Sequence, residues 1–330
     1  MRSADFALTV GVPVSNAMPW LPQAIESLLQ QTTNDFVIFA IVDGGSDGSA
    51  AYLRKVRDAG LHARLRILEQ QHQGVTATLN RLLRETPTPW LARMDADDVS
   101  YPHRIEKLLR AIRQHPDAGL IYSLAHYHPR ERCTGRFRCS RGSPSELRSI
   151  VERGYLLSIC HSTVALNVEK AQAVGGYRMD IHAEDADLWW RIARRFEIQC
   201  IPEALVGFRQ SAASVSAQNL DKQELAGIYV QYLLLSELWG LKPRPLAEVA
   251  RVLLSFVEPS TLAAKEALRR FNMHLGQSYR WRAAAALAQA AWTSPGYLLG
   301  RVRDEFRRSP IFNGVEPHLF WERRDTLWIS

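Results

Sequence analysis

Cysteine is scarce in this chain of 330 residues: Cys133, Cys139, Cys160 and Cys200 show no C-x-x-C spacing. They are too sparse for a disulfide framework, so free thiols in a reducing cytosol are expected. An export signal is also missing. The opening MRSADFALTVGVPV holds only a short apolar run, broken by Asp5 and Pro13, with no cleavage-site pattern after it, and reads as a first strand. Long uncharged runs are rare. The longest, AAAALAQAAWTSPGYLLG at 283–300, carries Gln289, Thr293, Ser294, Pro295 and Gly296, which argue against a plain spanning helix. The glycine-rich DGGSDGS is neither a P-loop nor a dinucleotide fingerprint, and no internal repeat is visible. With 46% hydrophobic residues, general disorder is excluded and one large or two smaller cores can form. The net charge of +7 comes mostly from arginine and suits an anionic partner such as a phosphate-rich substrate or an acidic membrane surface. Its basic residues are dispersed and lack a recognised module, so nucleic acid is not the expected partner.

The first part of the chain alternates strand and helix signals. FALTVGVPV, FVIFAIVD, a short run near 65–68 and WLARM read as strands. Between them, Leu21, Ile25, Leu28 and Leu29 recur at helical spacing, and a helix is expected near 75–84. Pro102 is placed as a first-turn proline before the apolar face of Ile105, Leu108, Leu109 and Ile112. This alternation predicts an α/β fold with a mostly parallel sheet flanked by helices. In such sheets functional residues gather at the carboxyl ends of strands, where Pro13, Asp43 and the cluster Asp95, Asp97, Asp98 all fall. Residues 126–154 read as a loose, Arg-rich connection. ICHSTVALN and AEDADLWWRIARRF then read as a strand and a helix, and beyond about Leu220 the chain turns helical. A division at 1–220 and 221–330 follows.

Three carboxylates within four positions repel one another and call for a cation, which could be a structural arginine or lysine, a helix N-terminus or a metal ion. Magnesium and manganese take one or two protein carboxylates and complete their shell with substrate phosphates, so a D-x-D at a strand end suits a diphosphate-bound metal. The competing reading is that Asp97 and Asp98 only cap the following helix.

The ordered set VPVSN, AIESLLQQT, FVIFAIVDGGSDGS, GVTATLN, ARMDADD, HSTVALN, GGYR, AEDADLWWR and FRQSAASVS resembles the family 2 glycosyltransferases of bacterial polysaccharide assembly, over roughly residues 5–217. That resemblance implies the Rossmann-like GT-A fold with a helical C-terminal extension. It also implies inverting transfer of a sugar from a nucleotide diphosphate sugar, usually a UDP-sugar, to an acceptor hydroxyl, with Mn2+ or Mg2+ as cofactor. Position by position, Pro13, Ser15 and Asp43 match the pocket for the base. Asp97 matches the metal ligand, and Asp95 matches the residue facing the ribose and metal waters. Asp185 matches the general base, with Glu184 beside it. His161 and His182 are candidate acceptor contacts. The family's Y-R-x-H ends here in Ser211, a poorer metal donor, and Arg209 beside it is expected to supply charge to the phosphates. The acceptor expected is lipid-linked or polysaccharide, met at the inner face of the cytoplasmic membrane. Alternatives are a non-catalytic sugar-nucleotide-binding or scaffolding relative and a nucleotidyltransferase on a related fold. The segment 265–308, with nine Lys or Arg against three acids, reads either as an interfacial helix anchored by Trp281 and Trp292 or as an Ala-rich helix packed on the rest.

Overall fold

The structure, a computed structural model, describes residues 6–61, 64–129, 135–178, 181, 183–210, 220–306 and 311–328. His182 and Ser211 lie outside the described residues. The chain forms two compact units. One comprises residues 1–126, 159–180 and 187–209, the other residues 127–158, 181–186 and 210–330.

The first unit is built on an eight-stranded sheet. In chain order its strands are β1 (Leu8–Val14), β2 (Val37–Asp43), β3 (Leu65–Gln70), β4 (Trp90–Arg93), β5 (Val99–Ser100), β6 (Ala118–His128), β8 (Val164–Asn167) and β9 (Glu197–Arg209); β7 (Leu156–Leu157) belongs to the second unit. The spatial order is β3-β2-β1-β4-β8-β6-β9-β5. Strands β3, β2, β1 and β4 pair in parallel, whereas β8 runs antiparallel to both β4 and β6, so β6 shares the direction of β4. The mostly parallel sheet expected from the sequence is therefore present. Alternation along β1 sends Leu8, Val10, Val12 and Val14 into one core with Ile38, Ala40 and Val42 of β2. The same core receives Leu21, Ile25 and Leu28 of helix α1 (Leu21–Leu29) and Ile105, Leu108 and Leu109 of helix α4 (Arg104–Gln114). Helix α3 (Val75–Glu85) buries Leu79, Leu82 and Leu83. Gly11 permits close packing there, because a Cβ on it would meet a Leu91 methyl at 2.8 Å and both Leu82 methyls at 3.2 Å.

A buried side chain positions the segment after the acidic cluster. Gln31 donates to the carbonyl of Tyr101 (2.9 Å) and accepts from the amide of Ile105 (3.0 Å), while Thr32 N–H bonds the Pro102 carbonyl (2.9 Å). The end of α1 thus holds the turn that leads into α4. Helix α4 opens at Arg104 with His103 at its cap, so Asp97 and Asp98 do not cap it.

In the second unit, residues 127–129 and 135–154 hold more regular structure than their sequence suggests. Strand β6 continues to His128, and helix α5 (Pro144–Glu152) starts with a capping box between Ser143 and Glu146. A separate core gathers Ile228, Tyr232, Leu235, Val249, Leu253, Phe320 and Trp328. Buried Gln231 is satisfied three times over, donating to the Gly154 and Val315 carbonyls and accepting from the Val315 amide. No described helix is long and apolar enough to cross a membrane.

Candidate active site

Two loops meet beyond the carboxyl ends of β1 and β2. Ser15 Oγ donates to the Asp43 carbonyl (3.2 Å), Asn16 Oδ1 accepts from the Ser46 amide (3.2 Å) and Asp47 accepts from the Met18 amide (2.7 Å). Gly45, at φ +97°, lies so close to Asn16 that a Cβ would come within 2.8 Å of its Oδ1. Asp43 is buried at the end of β2. Its carboxylate accepts from Gln70 Nε2 and from the amides of Gln73 and Gly74, each at 2.8 Å, and His72 Nδ1 lies at 3.1 Å. The residue expected to meet a base therefore also fastens the loop that starts α3. Pro13 lies on β1, paired with Ile41 of β2.

The acidic cluster follows β4. Burial works against ionising Asp95, but the Arg93 guanidinium beside it and the Ser162 hydroxyl hold its carboxyl below the usual range. Arg93 donates at 2.6 Å and Ser162 Oγ at 2.8 Å. Asp98 is fully buried and accepts from the Arg209 amide (2.8 Å); burial and the charges of Asp95 and Asp97 push its carboxyl well up. Asp97 differs from both. Half-buried, with no side chain bonded to its carboxylate among the described residues, it is raised to about 6 by burial and by Asp95. Arg209 braces the cluster from β9. Its Nε donates to the Asp97 carbonyl (2.8 Å) and its Nη2 to Gln23 (2.6 Å), and its guanidinium stacks 4.2 Å from the Trp20 ring centroid.

Two buried arginines lie beneath these carboxylates. Arg93 is 3% exposed and leaves Nε and Nη1 without a partner among the described residues. Arg104 is fully buried, donates to the Arg93 carbonyl (2.7 Å), and burial brings its guanidinium down to about 10. They place structural positive charge beside Asp95 and Asp98. Sequence reasoning passed over both, although an arginine inside the apolar run WLARM, two residues before an aspartate, was a usable signal.

The remaining candidates separate clearly. His161 Nε2 lies 3.0 Å from Tyr177 Oη, and its ring meets Trp189 edge-on at 5.5 Å. Burial and Arg93 bring its pKa down to about 3, so it is a neutral imidazole. In helix α7 (Glu184–Arg195), Asp187 is fully buried, accepts from Arg191 Nε and Nη2 (2.9 and 2.6 Å) and pairs with Arg178 at 3.2 Å. Glu184 and Asp185 open that helix half-buried, in the segment that belongs to the second unit, and Asp185 Oδ1 accepts from the Ala186 amide (2.7 Å). Trp189 and Trp190 both lie in the core.

The donor chemistry at Asp97 fits a divalent cation. A carboxylate oxygen bonded by no side chain among the described residues, its charge unfavourable where it stands, suits an ion that supplies positive charge. Among the described residues, no three His, Cys, Asp or Glu side chains form a ready-made metal cluster.

A mostly parallel sheet flanked by helices, with an aspartate cluster after one of its parallel strands, is a GT-A architecture. The sequence model of Glycosyl transferase family 2 matches residues 9–172, and the chain belongs to that family. It is 26% identical over 203 residues to the amylovoran biosynthesis glycosyltransferase AmsE of Erwinia amylovora, covering 60% of this chain and 74% of AmsE. Its fold is similar to TarS 1–349 of S. aureus in complex with UDP-GlcNAc (TM-score 0.53, 13% identity, 89% of this chain and 92% of that one), and it spans 55% of the longer TarS chain. The mannosyltransferase PcManGT of Pyrobaculum calidifontis, in complex with GDP-Man and Mn2+, is similar as well (TM-score 0.54, 16% identity, 98% and 88% covered).

Proposed function

We propose that this glycosyltransferase moves a sugar, with inversion, from a UDP-sugar to a hydroxyl of a lipid-linked or polysaccharide acceptor at the inner face of the cytoplasmic membrane. The observation that carries this reading is Asp97, a carboxylate whose charge burial and Asp95 oppose and Arg209 and Arg93 only partly offset, beside Asp95, which Arg93 bonds directly. Asp97 would hold Mn2+ or Mg2+, which when bound offsets the negative charge of the donor diphosphate. Asp95, oriented by Arg93 and Ser162, faces the ribose and metal waters. Pro13, Ser15 and Asp43 form the base pocket, with Asp43 setting the Gln70 to Gly74 loop as well as facing the base. Arg209 keeps Asp97 and Asp98 in place and contributes positive charge near the phosphates.

In the transfer itself, the acceptor oxygen bonds to the anomeric carbon as the bond from that carbon to the diphosphate oxygen breaks. The acceptor proton passes to Asp185, and the nucleoside diphosphate leaves with the bonding electron pair. Glu184 positions the acceptor. Support for Asp185 over Asp187 comes from their surroundings, since Asp187 is consumed by two arginines in the core. His161, neutral and facing Tyr177, can only take part as a hydrogen-bonding group. His182 and Ser211 keep the roles that the resemblance implies, as acceptor and phosphate contacts.

The similar structures hold different nucleotides, UDP-GlcNAc in one and GDP-Man in the other. The test is therefore a screen of the purified chain against UDP-, GDP-, dTDP- and CMP-sugars with manganese or magnesium. Turnover or binding with UDP-sugars is expected, and preference for another base would overturn the donor assignment.

A further inference from the structure

The C-terminal helices of the second unit invert the usual amphipathic arrangement. Helices Pro259–Gly276 and Arg280–Thr293 pack together across the short connection 277–279, and the side chains they bury are alanines: Ala264 and Ala267 on one, Ala283, Ala286 and Ala290 on the other. Small residues let the two backbones approach, but they bury little apolar area. The large side chains of Arg280–Thr293 point the other way. Trp281 and Trp292 are each 91% exposed. Eleven residues apart, they lie about 20° apart around the helix and about 16 Å apart along it. Ala285 and Ala288, both exposed, fill the strip between them. The next helix, Pro295–Phe306, adds Leu299 at 69% exposure and Val302 at 49%. Single exposed hydrophobes need no explanation, but a continuous strip with two tryptophans does.

Charge identifies what covers it. Residues 277–303 contain Arg280, Arg282, Arg301 and Arg303 and no acidic residue. Arg280 and Arg282 flank Trp281 and are exposed. A second copy docked through the same face would bring four arginines against four, so self-association is disfavoured. Tryptophan rings with arginines beside them match the interfacial zone of an anionic bilayer, where indole sits at headgroup depth and the guanidinium meets lipid phosphate. Extending the membrane-side part of the functional reading, we propose that helix Arg280–Thr293 lies flat on an anionic lipid surface, with Trp281 and Trp292 inserted and the arginines on the headgroups.

The test is flotation of the full chain with vesicles of phosphatidylglycerol and phosphatidylcholine in equal parts, against phosphatidylcholine alone, at about 50 mM and about 500 mM salt. The native chain should float with the anionic vesicles at low salt. W281A/W292A should reduce partitioning at least tenfold, and R280Q/R282Q/R301Q/R303Q should remove the preference for phosphatidylglycerol. Every side chain replaced is exposed except the half-buried Arg301, and calorimetry with UDP should be unchanged in each variant, which separates this proposal from the donor chemistry. Failure of the native chain to float, or equal flotation of W281A/W292A, overturns the proposal. So does a dimer in the ultracentrifuge that W281A/W292A abolishes without any vesicle binding.

Discussion

Arg93→Met isolates the cation beneath the acidic cluster. Methionine keeps much of the buried apolar stem, so the loss is mainly electrostatic. Removing the charge-assisted bond to Asp95 (2.6 Å) costs about 1.5–3 kcal/mol. Against this stands relief of Nε and Nη1, buried donors without partners among the described residues, whose burial already costs about 1 kcal/mol or more. Asp95 also keeps its bond from Ser162 and stays about one-third exposed, so it is not stranded. The net destabilisation should be about 1–2 kcal/mol, below the roughly 3–5 kcal/mol typical of a broken, fully buried pair. Function should suffer more. With Asp95 uncompensated, the site gains one negative charge where a diphosphate must bind, and affinity for UDP should fall by about tenfold to a hundredfold. Urea unfolding followed by tryptophan fluorescence and calorimetry with UDP measure the two effects. In the cycle with Asp95→Asn, a coupling of about 1–2 kcal/mol is expected. An Arg93→Met protein with unaltered stability and UDP affinity, or a coupling near zero, would refute the pairing.

Asp97→Asn should stabilise the metal-free protein while abolishing transfer. Folding raises this carboxyl to about 6, so its charge opposes folding at neutral pH, and removing it should add about 1 kcal/mol, seen as a Tm about 2–4 °C higher in chelator. The same shift sets a pH dependence. Stability from this group falls as pH rises from about 4 to about 6, and metal binding near pH 6 should release about half a proton, measured by calorimetry in buffers of different ionisation heat. Asp185→Asn should lose transfer with UDP binding and Tm kept, whereas Asp187→Asn should lower stability by about 3–5 kcal/mol, because Arg191 and Arg178 would be left around a neutral amide. Equal behaviour of the two variants in unfolding and calorimetry contradicts their separation.

The parallel half of the sheet was legible because β1, β2 and β4 are mostly apolar runs ending in turn chemistry, and the helices between them keep one apolar face. Strand β9, which carries Arg209 to the acidic cluster, was not read. Its sequence, EIQCIPEALVGFR, mixes charges and a proline into an irregular alternation. Helix α5 was lost inside an Arg-rich stretch, although SPSE at 143–146 is the sequence form of the capping box observed there. Of the site, the aspartates could be found from spacing alone. Their individual states could not, since Asp95, Asp97 and Asp98 differ through Arg93, Arg104, Ser162 and Arg209, and two of those partners come from distant segments of the chain. Gln31 shows the same limit. It stands out in QQT only as a polar helix end, yet it fixes the turn after the cluster.

The most direct measurement of the central claim, that Asp97 joins a divalent ion to the donor diphosphate, is titration calorimetry of UDP with and without manganese, in the native chain and in Asp97→Ala. Manganese should tighten UDP binding to the native protein at least tenfold, and by reciprocity UDP should tighten manganese binding by the same factor. In Asp97→Ala the metal-free UDP affinity should be retained or improved and the enhancement should vanish. Equal enhancement in both proteins would contradict the claim.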